Sequence, residues 1–438
     1  MGRLALPKDR IMSIDAGVLT QIREHYDSEI YKILFEDGKV TSPLLALCEA
    51  KSITDGFGRK FVVRVATHEG AAVAADPEIA DDIAGDGDTG GRPGRERWEV
   101  STTSLDAPFT FDRDEVDAIE GKKADEQFDV IADEMDMAVI RIRNMLAEQV
   151  SGKGWGALAQ ISAISSTTIT VSTALVNRFP VGARLVASAS EDTDVLYNSG
   201  AILRVTGASD STGVITLSGN PQTTWANNSS LWVFRAGNRI ATDPSASDSN
   251  KRVITGVKGW VDPDSTTFMG VTRTGISQLT GYSFSASGMD TAQGLIGAAD
   301  KLFNFGKPAK MILCSGTSWK LLQQDYDAAK VVQVSLGEYK IGFTGYKLAT
   351  VFGDAVVVPD PFIEPGTAYV GPFDDKKWGP KLYHTGKNLV NLDDLDGKQF
   401  ERRNDNGQRS FKGQFYFRGN LVIPGPGMYC KVTNLPTS

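Results

Sequence analysis

The sequence predicts an α+β fold with an inserted all-β domain, and three observations lead to this prediction. Apolar residues recur every three or four positions across 124–151, which is typical of one long amphipathic helix. Short runs rich in β-branched residues, separated by Gly, Asn, Asp and Ser, then fill 155–235. A helix–strand–helix pattern follows across 288–327, so the mixed α and β texture resumes after the β segment.

Two elements precede the long helix. The run from Val18 to Phe35 has apolar residues at helical spacing and predicts an N-terminal helix. Two β-type stretches, 58–68 and 95–111, bracket a segment dominated by Ala, Gly and carboxylates. Between His68 and Val100 there is little apolar surface to bury, and a loop longer than about 12–15 residues is uncommon unless it is functional or disordered. We therefore expect a long hairpin with an oversized tip that contacts a partner.

The long helix is predicted to extend from Ala124 to Ser151, with Gly152 as its C-terminal stop. At 1.5 Å per residue it is about 42 Å long, which suggests an elongated, flattened molecule. The apolar residues that define its spacing are Phe128, Ile131, Met135, Ala138, Ile142, Met145 and Val150.

The β segment that follows is predicted to be a small barrel or sandwich that folds separately and lies on the outer surface of the molecule. In the helix–strand–helix unit, Lys307 and Pro308 mark the turn into a buried strand, "KMILCS". Further strands are expected at "DAVVVPD", "TAYVGPF", "GQFYFRGNLVIP" and "GMYCKVT".

Composition limits the classes of function. The chain has 438 residues, 41% of them hydrophobic and 23% charged, which is ordinary for a core-forming globular protein. A net charge of −8 argues against a protein that wraps nucleic acid with a basic face. The N-terminus lacks a signal-peptide core, and there is no run of about 18 uncharged apolar residues. We expect neither export by that route nor a membrane-spanning segment.

Motifs for phosphate or cation binding are incomplete. No Gly-Lys pair is followed by Ser or Thr, so the phosphate-binding P-loop is missing. "SGKGWG" follows a helix instead of preceding one and offers no helix N-terminus to a pyrophosphate. In "DGDTGG", Asp86 and Asp88 begin a calcium-type loop, but Arg97 stands where the bidentate glutamate is needed. We interpret this stretch as a solvated acidic loop.

The cysteines and histidines give no catalytic or metal-binding pattern either. Cys48, Cys314 and Cys430 are far apart, odd in number and without a C-x-x-C spacing, so neither a disulfide framework nor a zinc site is indicated. Cys314 lies in an apolar strand and is interpreted as a packing residue. The three histidines are scattered and lack a metal or nucleophile motif; they are His25, His68 and His384. No catalytic residue, cofactor site or metal site is predicted.

The order of these pieces resembles the major capsid proteins of tailed double-stranded DNA bacteriophages with the Hong Kong 97-like fold. "RWEVSTTSLDAPFTFDRDEVDAI" is similar to the returning strand of that family's extended loop and its run into the spine helix. "FRAGNRIA" followed by "ITGVKGWVDPD" is similar to the segment that re-enters the peripheral domain in members with an inserted β domain. "GDAVVVPDPFIEPGTAYVGPFD" and "LVIPGPGMYCKV" resemble a sequence and the closing strand of the axial domain.

The resemblance implies a domain layout. The domains are an N-terminal arm and helix (1–50), an extended loop hairpin (51–112), a peripheral domain with the spine helix (113–154), an inserted β domain (155–236), the continued peripheral domain (237–290), an axial domain (291–380) and C-terminal peripheral and axial strands (381–438). The long helical N-terminal extension of the fold's founding type is missing, which favours a separate scaffolding protein or none.

The resemblance also implies a function without catalysis. The chain is expected to form hexamers and pentamers of an icosahedral shell that encloses double-stranded DNA without sequence-specific binding. Expected partners are a scaffolding protein, a portal and decoration proteins, with no membrane and no cofactor. The expected location is the virion, after assembly in the host cytoplasm. Contacts to neighbouring subunits are expected from extended-loop residues Arg59, Lys60, Asp81, Asp82, Arg92, Arg95, Arg97 and Trp98.

Three other classes remain open at this point. A carbohydrate-binding adhesin or tail component would use Trp155, Trp225 and Trp232 as stacking platforms, but it does not explain the long helix. A hydrolase would need convergent titratable groups, for which the chain has no motif. A bacterial nanocompartment shell of the same fold is a closer alternative.

Overall fold

The computed structural model describes most of the chain, and every structural statement below applies to the described part. The described residues are 42–53, 60–66, 95–112, 124–191, 196–226, 230–236, 253–262, 267–269, 271–273, 279–325, 332–335, 344–351, 353–386, 388–392, 401–403 and 410–437. The predicted helix at 18–35, the hairpin tip and the calcium-type stretch lie outside these ranges.

The prediction of one long helix is confirmed. It extends over Ala124–Ser151, and its inward face carries Met135, Ile142 and Val150, all completely buried. The helix–strand–helix prediction is also confirmed. The α-helices in the described residues are α1 Pro43–Leu47, α2 Ala124–Ser151, α3 Pro221–Thr224, α4 Val257–Val261, α5 Thr291–Asn304 and α6 Gly316–Asp325.

Strands make up most of the remaining regular structure. In chain order they are β1 Glu49–Ser52, β2 Lys60–Ala66, β3 Arg95–Ser101, β4 Thr103–Asp112, β5 Ala157–Gln160, β6 Ala163–Ile164, β7 Thr168–Thr170, β8 Arg184–Ser188, β9 Leu203–Ser209, β10 Val214–Leu217, β11 Trp232–Arg235, β12 Thr267–Phe268, β13 Val271–Thr272, β14 Tyr282–Ser285, β15 Met311–Cys314, β16 Val332–Ser335, β17 Thr344–Thr350, β18 Gly353–Pro359, β19 Ala368–Gly371, β20 Lys381–His384, β21 Asn391–Leu392, β22 Glu401–Arg403, β23 Ser410–Val422 and β24 Cys430–Thr433.

The first sheet supports the long helix. Its order is β1-β20-β23-β21, and the long strand β23 also pairs with β22 and with β4 along the whole of β4. Inward and outward residues alternate along β4: Leu105, Ala107 and Phe109 are buried, while Ser104 and Asp106 are exposed. Helix α2 packs across β4 and β23, so the buried stripe of the helix and the buried face of the sheet share one core.

A second sheet has the order β14-β24-β19-β15-β18-β17-β16. All four residues of its strand β15 are buried, because the two faces of the strand belong to different cores. Ile312 and Cys314 pack into the core that contains α5 and α6. Met311 and Leu313 pack on the other side, into the core shared with α2. The second sheet therefore forms the layer between the α5–α6 pair and the first core.

The segment from β5 to β11 forms a seven-stranded sheet of order β5-β11-β8-β9-β10-β7-β6. Its two edge strands, β5 and β6, follow each other directly in sequence and are separated only by Ile161 and Ser162. At the bend between them, Ile161 N donates to Leu231 O on one side and Ser162 N donates to Thr170 O on the other, both at 2.8 Å. The sheet thus closes on itself as a small barrel, and its interior is a separate apolar cluster that includes Ile169 and Val233.

No helix within the described ranges combines the length and the apolar character that crossing a membrane requires.

Candidate functional site

The base of the hairpin is the first part of the candidate site. Strands β2 and β3 pair in antiparallel register from Lys60 opposite Ser101 to Ala66 opposite Arg95. Lys60, Arg95 and Arg97 therefore lie in the paired strands. The other four charged residues expected to contact neighbouring subunits lie outside the described residues; they are Arg59, Asp81, Asp82 and Arg92. Contacts made by all seven stay a prediction.

Trp98 has a different place from the expected one. Its side chain is completely buried inside the subunit and meets the Trp260 ring edge to face, with ring centroids 4.9 Å apart. Trp260 in turn packs against Phe268 at 4.8 Å and donates its indole N–H to Leu421 O at 3.0 Å. Because its side chain belongs to the main apolar core, Trp98 anchors the hairpin from within the subunit and is not free for a neighbour.

A buried arginine completes this aromatic anchor. The Arg273 guanidinium lies over the Phe268 ring, 3.6 Å from its centroid. It donates to Trp260 O at 3.1 Å, and to Gly259 O and Asp262 O at 3.4 Å each. Burial lowers the pKa of Arg273 to about 9, against the opposing effect of the Asp262 carboxylate. Arg273 thus satisfies carbonyls that the C-terminal end of α4 leaves without helical partners.

Helix α4 sits directly against the end of α2, and two glycines permit this approach. A Cβ on Gly256 would lie 2.3 Å from the carbonyl oxygens of both Gln149 and Val150. A Cβ on Gly259 would lie 2.6 Å from the Lys153 oxygen. All five residues of α4 are buried, so a single helical turn is fixed between α2 and the body.

The other side of α4 carries a charged cluster. The Lys258 ammonium lies 2.8 and 3.1 Å from the two carboxylate oxygens of Glu191, and 2.9 and 3.0 Å from those of Glu364. It also lies 5.6 Å from the centroid of the Trp232 ring. Glu191 follows β8 of the barrel and Glu364 follows β18 of the second sheet, so Lys258 joins the barrel to the body.

The three charges of this cluster affect one another. Burial lowers the pKa of Lys258, but the two carboxylates outweigh burial and the net pKa is raised. Burial raises the pKa of Glu191, and the Glu364 charge adds to this while Lys258 opposes it. For Glu364, burial also acts to raise the pKa, but Lys258 outweighs it and the pKa is lowered. Of the two carboxyl groups in this cluster, Glu191 is therefore the one that takes up a proton first on acidification.

A turn after β18 gathers further contacts. The Asp360 carboxylate is completely buried and accepts hydrogen bonds from Ser42 Oγ, and from Leu44 N at 3.0 Å. Phe362 O accepts from Arg178 of the barrel and, at 3.0 Å, from Ser151 Oγ at the end of α2. The turn thus ties the chain before α1, helix α2 and the barrel to the second sheet.

The tryptophans considered for sugar stacking are engaged within the subunit. Trp225 is 3% exposed and donates its indole N–H to Ala201 O at 2.8 Å. Trp155 and Trp232 are half-buried against a small apolar cluster of Val186 and Phe234. Trp225 is therefore enclosed and not available for sugar stacking, whereas Trp155 and Trp232 remain partly exposed.

The thiols and the described histidine offer no reactive centre. All three cysteines are free and buried, and burial raises the pKa of Cys314 and of Cys430 to about 12. Burial of His384 lowers its pKa, opposed by a backbone hydrogen bond at Asn388. In the part of the chain that the structure describes, no three His, Cys, Asp or Glu residues are grouped so that they could hold a metal ion.

Comparison with known proteins gives similarity in fold only. No protein-family model matches the chain, and no curated protein matches it. The capsid asymmetric unit of cyanophage A-1(L) is 10% identical, with 90% of this chain and 93% of that one covered and a TM-score of 0.46. The capsid of Myoviridae phage XM1 is 6% identical, with 91% and 94% covered and a TM-score of 0.42. The holo-SrpI encapsulin complex from Synechococcus elongatus PCC 7942 is 8% identical, with 90% and 88% covered and a TM-score of 0.42.

Proposed function

We propose that this chain is a major capsid protein, the structural subunit of an icosahedral shell around packaged double-stranded DNA of a tailed bacteriophage. The observation that carries the proposal is the hairpin β2–β3. Its base is fixed in the core by Trp98, whereas the segment between its strands, 67–94, has little apolar surface with which to fold on its own. A loop of this kind needs a partner, and identical neighbours in a shell provide one for every subunit.

The body supports the same proposal. A helix of about 42 Å packed against a long antiparallel strand pair suits an elongated, flat subunit with many neighbours. Subunits of a shell meet several neighbours through modest contacts, and repetition of each contact over a lattice makes the whole stable. In this proposal α2 is the spine helix, the second sheet belongs to the axial domain, and the barrel is an inserted domain.

The net charge of −8 suits a shell that must release its genome, because a subunit with an excess of carboxylates has little net attraction for phosphates. The seven charged residues of the extended loop are the proposed contacts between subunits, as hydrogen-bonded ion pairs across the interface. The proposed assembly contains hexamers and pentamers and works with a scaffolding protein, a portal and decoration proteins. Assembly in the host cytoplasm leads to the virion.

Electron microscopy of the purified protein, alone and with co-expressed proteins from the same source, tests the proposal. Closed icosahedral shells with pentamers at the vertices are the expected result. A protein that remains monomeric, or that assembles only into helical fibres, would contradict the proposal. Shells filled with a protein cargo and free of DNA would instead identify a nanocompartment.

A deletion variant links that result to the hairpin. Replacing 68–92 by a short turn removes Asp81, Asp82 and Arg92, three of the seven proposed contact residues, while it leaves the Trp98 anchor in place. We expect a folded subunit with near-normal thermal unfolding and no shells by sedimentation, since a shorter loop changes the closure free energy by only about 0.6 kcal/mol per halving of length. Normal shells from this variant would show that the hairpin tip does not mediate assembly.

A further inference from the structure

Two arginines stand directly opposite each other on the outside of the barrel. The register of β8 and β9 pairs Arg184 with Arg204, and both side chains are exposed. Among the described residues, no carboxylate forms an ion pair with either of them. Along β9, the buried residues Leu203 and Val205 alternate with Arg204, so the arginine points outward by the pleat of the strand.

Within the free subunit this pair is unfavourable. Like charges directly opposite on neighbouring strands destabilise a sheet, and opposite Cα atoms are only about 4.5–5.5 Å apart. The closed barrel prevents the register from slipping to separate the two charges. A local arrangement that is unfavourable and that no ion pair among the described residues compensates is expected to serve a partner.

The chemistry of the pair defines that partner. Two guanidinium groups side by side match carboxylates, which accept paired hydrogen bonds from each arginine. Ile202, 43% exposed on the same outward side of the chain, adds an apolar contact at the rim. The patch formed by Arg184, Arg204 and Ile202, which we call the arginine patch, therefore fits an acidic peptide segment with interspersed small aliphatic residues.

The chain itself contains such a segment. Residues 76–88 read "DPEIADDIAGDGD" and carry six carboxylates without a single Lys, Arg or His. They lie in the segment that connects β2 to β3. We propose that the arginine patch of one subunit binds the acidic segment 76–88 of a second copy of this chain. The inference rests on the proposed function, because a shell is what brings the hairpin of one subunit to the barrel of another.

A peptide-binding experiment tests the patch without requiring a shell. The probe is a fluorescent peptide of residues 74–90, added to the full-length subunit at low salt. Binding is expected for the natural subunit and to be about tenfold weaker for the double variant Arg184→Gln with Arg204→Gln. It should also weaken as salt shortens the screening length below about 10 Å. A peptide with Asn and Gln in place of its acids should not bind.

Controls separate the patch from general charge and from folding. Arg141→Gln removes an exposed arginine from α2 and should leave peptide binding unchanged. The thermal transition of the double variant should match that of the natural subunit or lie above it, because the repulsion is relieved. Equal peptide binding by the double variant would overturn the inference, and so would tighter binding of a single-stranded DNA oligonucleotide than of the peptide at the same patch.

Shell assembly provides the second test of the inference. Arg184→Glu with Arg204→Glu is expected to reduce shell yield, and adding Asp81→Arg with Asp82→Arg should restore it by exchanging the two charges. Full shell yield from the Glu variant would overturn the inference and leave the proposed function intact. A protein that never forms shells under any condition, yet binds the peptide through the patch, would contradict the proposed function instead.

Discussion

Helix α4 anchors two parts of the molecule by opposite means. Trp260 fixes the hairpin through aromatic contacts with Trp98 and Phe268, and both indole rings are completely buried. Lys258, two residues earlier, fixes the barrel through Glu191 and Glu364, whose side chains are 14% and 33% exposed. The hairpin base belongs to the main apolar core, whereas the barrel has a core of its own. The contact of Trp98 with Trp260 involves no charged group, whereas attachment of the barrel depends on an ion-pair cluster and therefore responds to salt and pH.

The largest effect is expected at the aromatic anchor. Trp98→Ala removes a completely buried indole, and we expect the free energy of unfolding of the body to fall by about 3–5 kcal/mol. Urea unfolding at low and at high salt should give the same decrease. Trp98→Phe is the matched control and should lose less. A decrease below about 1 kcal/mol for Trp98→Ala would show that the hairpin base is not held by this contact.

The second prediction disturbs both anchors together. Gly256→Ala places a methyl group against the backbone oxygens of Gln149 and Val150, so α4 must move away from α2. We expect a loss of about 1–3 kcal/mol in urea unfolding, with faster hydrogen exchange at the hairpin base and at the barrel junction. Gly152→Ala is the control, because its Cβ would meet no atom closer than 3.4 Å. Equal stability of the two variants would mean that close packing of α4 is unnecessary.

The third prediction concerns the barrel alone. Lys258→Met leaves two carboxylates facing each other, and we expect a loss of about 1–2 kcal/mol, between the values for exposed and fully buried ion pairs. Hydrogen exchange should rise at the junction between barrel and body and stay unchanged at Trp98. Lys51→Met removes a half-buried lysine 3.8 Å from Glu49, in a weaker ion pair, and should have almost no effect. Increased exchange at the hairpin base in the Lys258 variant would contradict the separation of the two anchors.

The smallest effect is expected from pH. Because burial raises the pKa of Glu191, the folded subunit binds the proton more tightly than the unfolded chain. The contribution of this group to stability is therefore largest below the ordinary glutamate pKa and decreases as pH rises through the folded value. The free energy of unfolding of the natural chain minus that of Glu191→Gln should increase from pH 7 to pH 5. A difference that stays constant or decreases would show that Glu191 is not the carboxyl that takes up the proton.

Long periodic elements could be predicted from the sequence, because their signal is repeated many times. Helix α2 has seven apolar positions at helical spacing, and its bounds agree with the prediction. The barrel was one of two predicted arrangements for its segment. Choosing between them required the hydrogen bonds of Ile161 and Ser162, which join the two ends of the sheet across the chain bend. Closure depends on partners distant in sequence, and periodicity contains no information about them.

The polar junction could not be predicted, because it is built from single residues. Helix α4 has five residues, too few to show a helical period, and Lys258 in isolation is typical of a solvated surface. Its two carboxylate partners lie 67 and 106 positions away in sequence. The flanking glycines of "TGVKGWVD" were the available signal, since glycine beside a buried tryptophan indicates close approach of backbones. Trp98 was assigned to the loop because its burial depends on Trp260, a partner no local pattern indicates.

Pairing of Ala157 with Phe234 brings the first and last strands of the barrel side by side. The points where the chain enters and leaves the barrel therefore lie close together. Another compact domain whose two ends lie close together could therefore replace the barrel without any change in the backbone of the rest of the subunit. This position is an insertion site at which evolution can exchange domains. In an assembled shell, a foreign antigen or enzyme inserted there would be displayed in many regularly spaced copies.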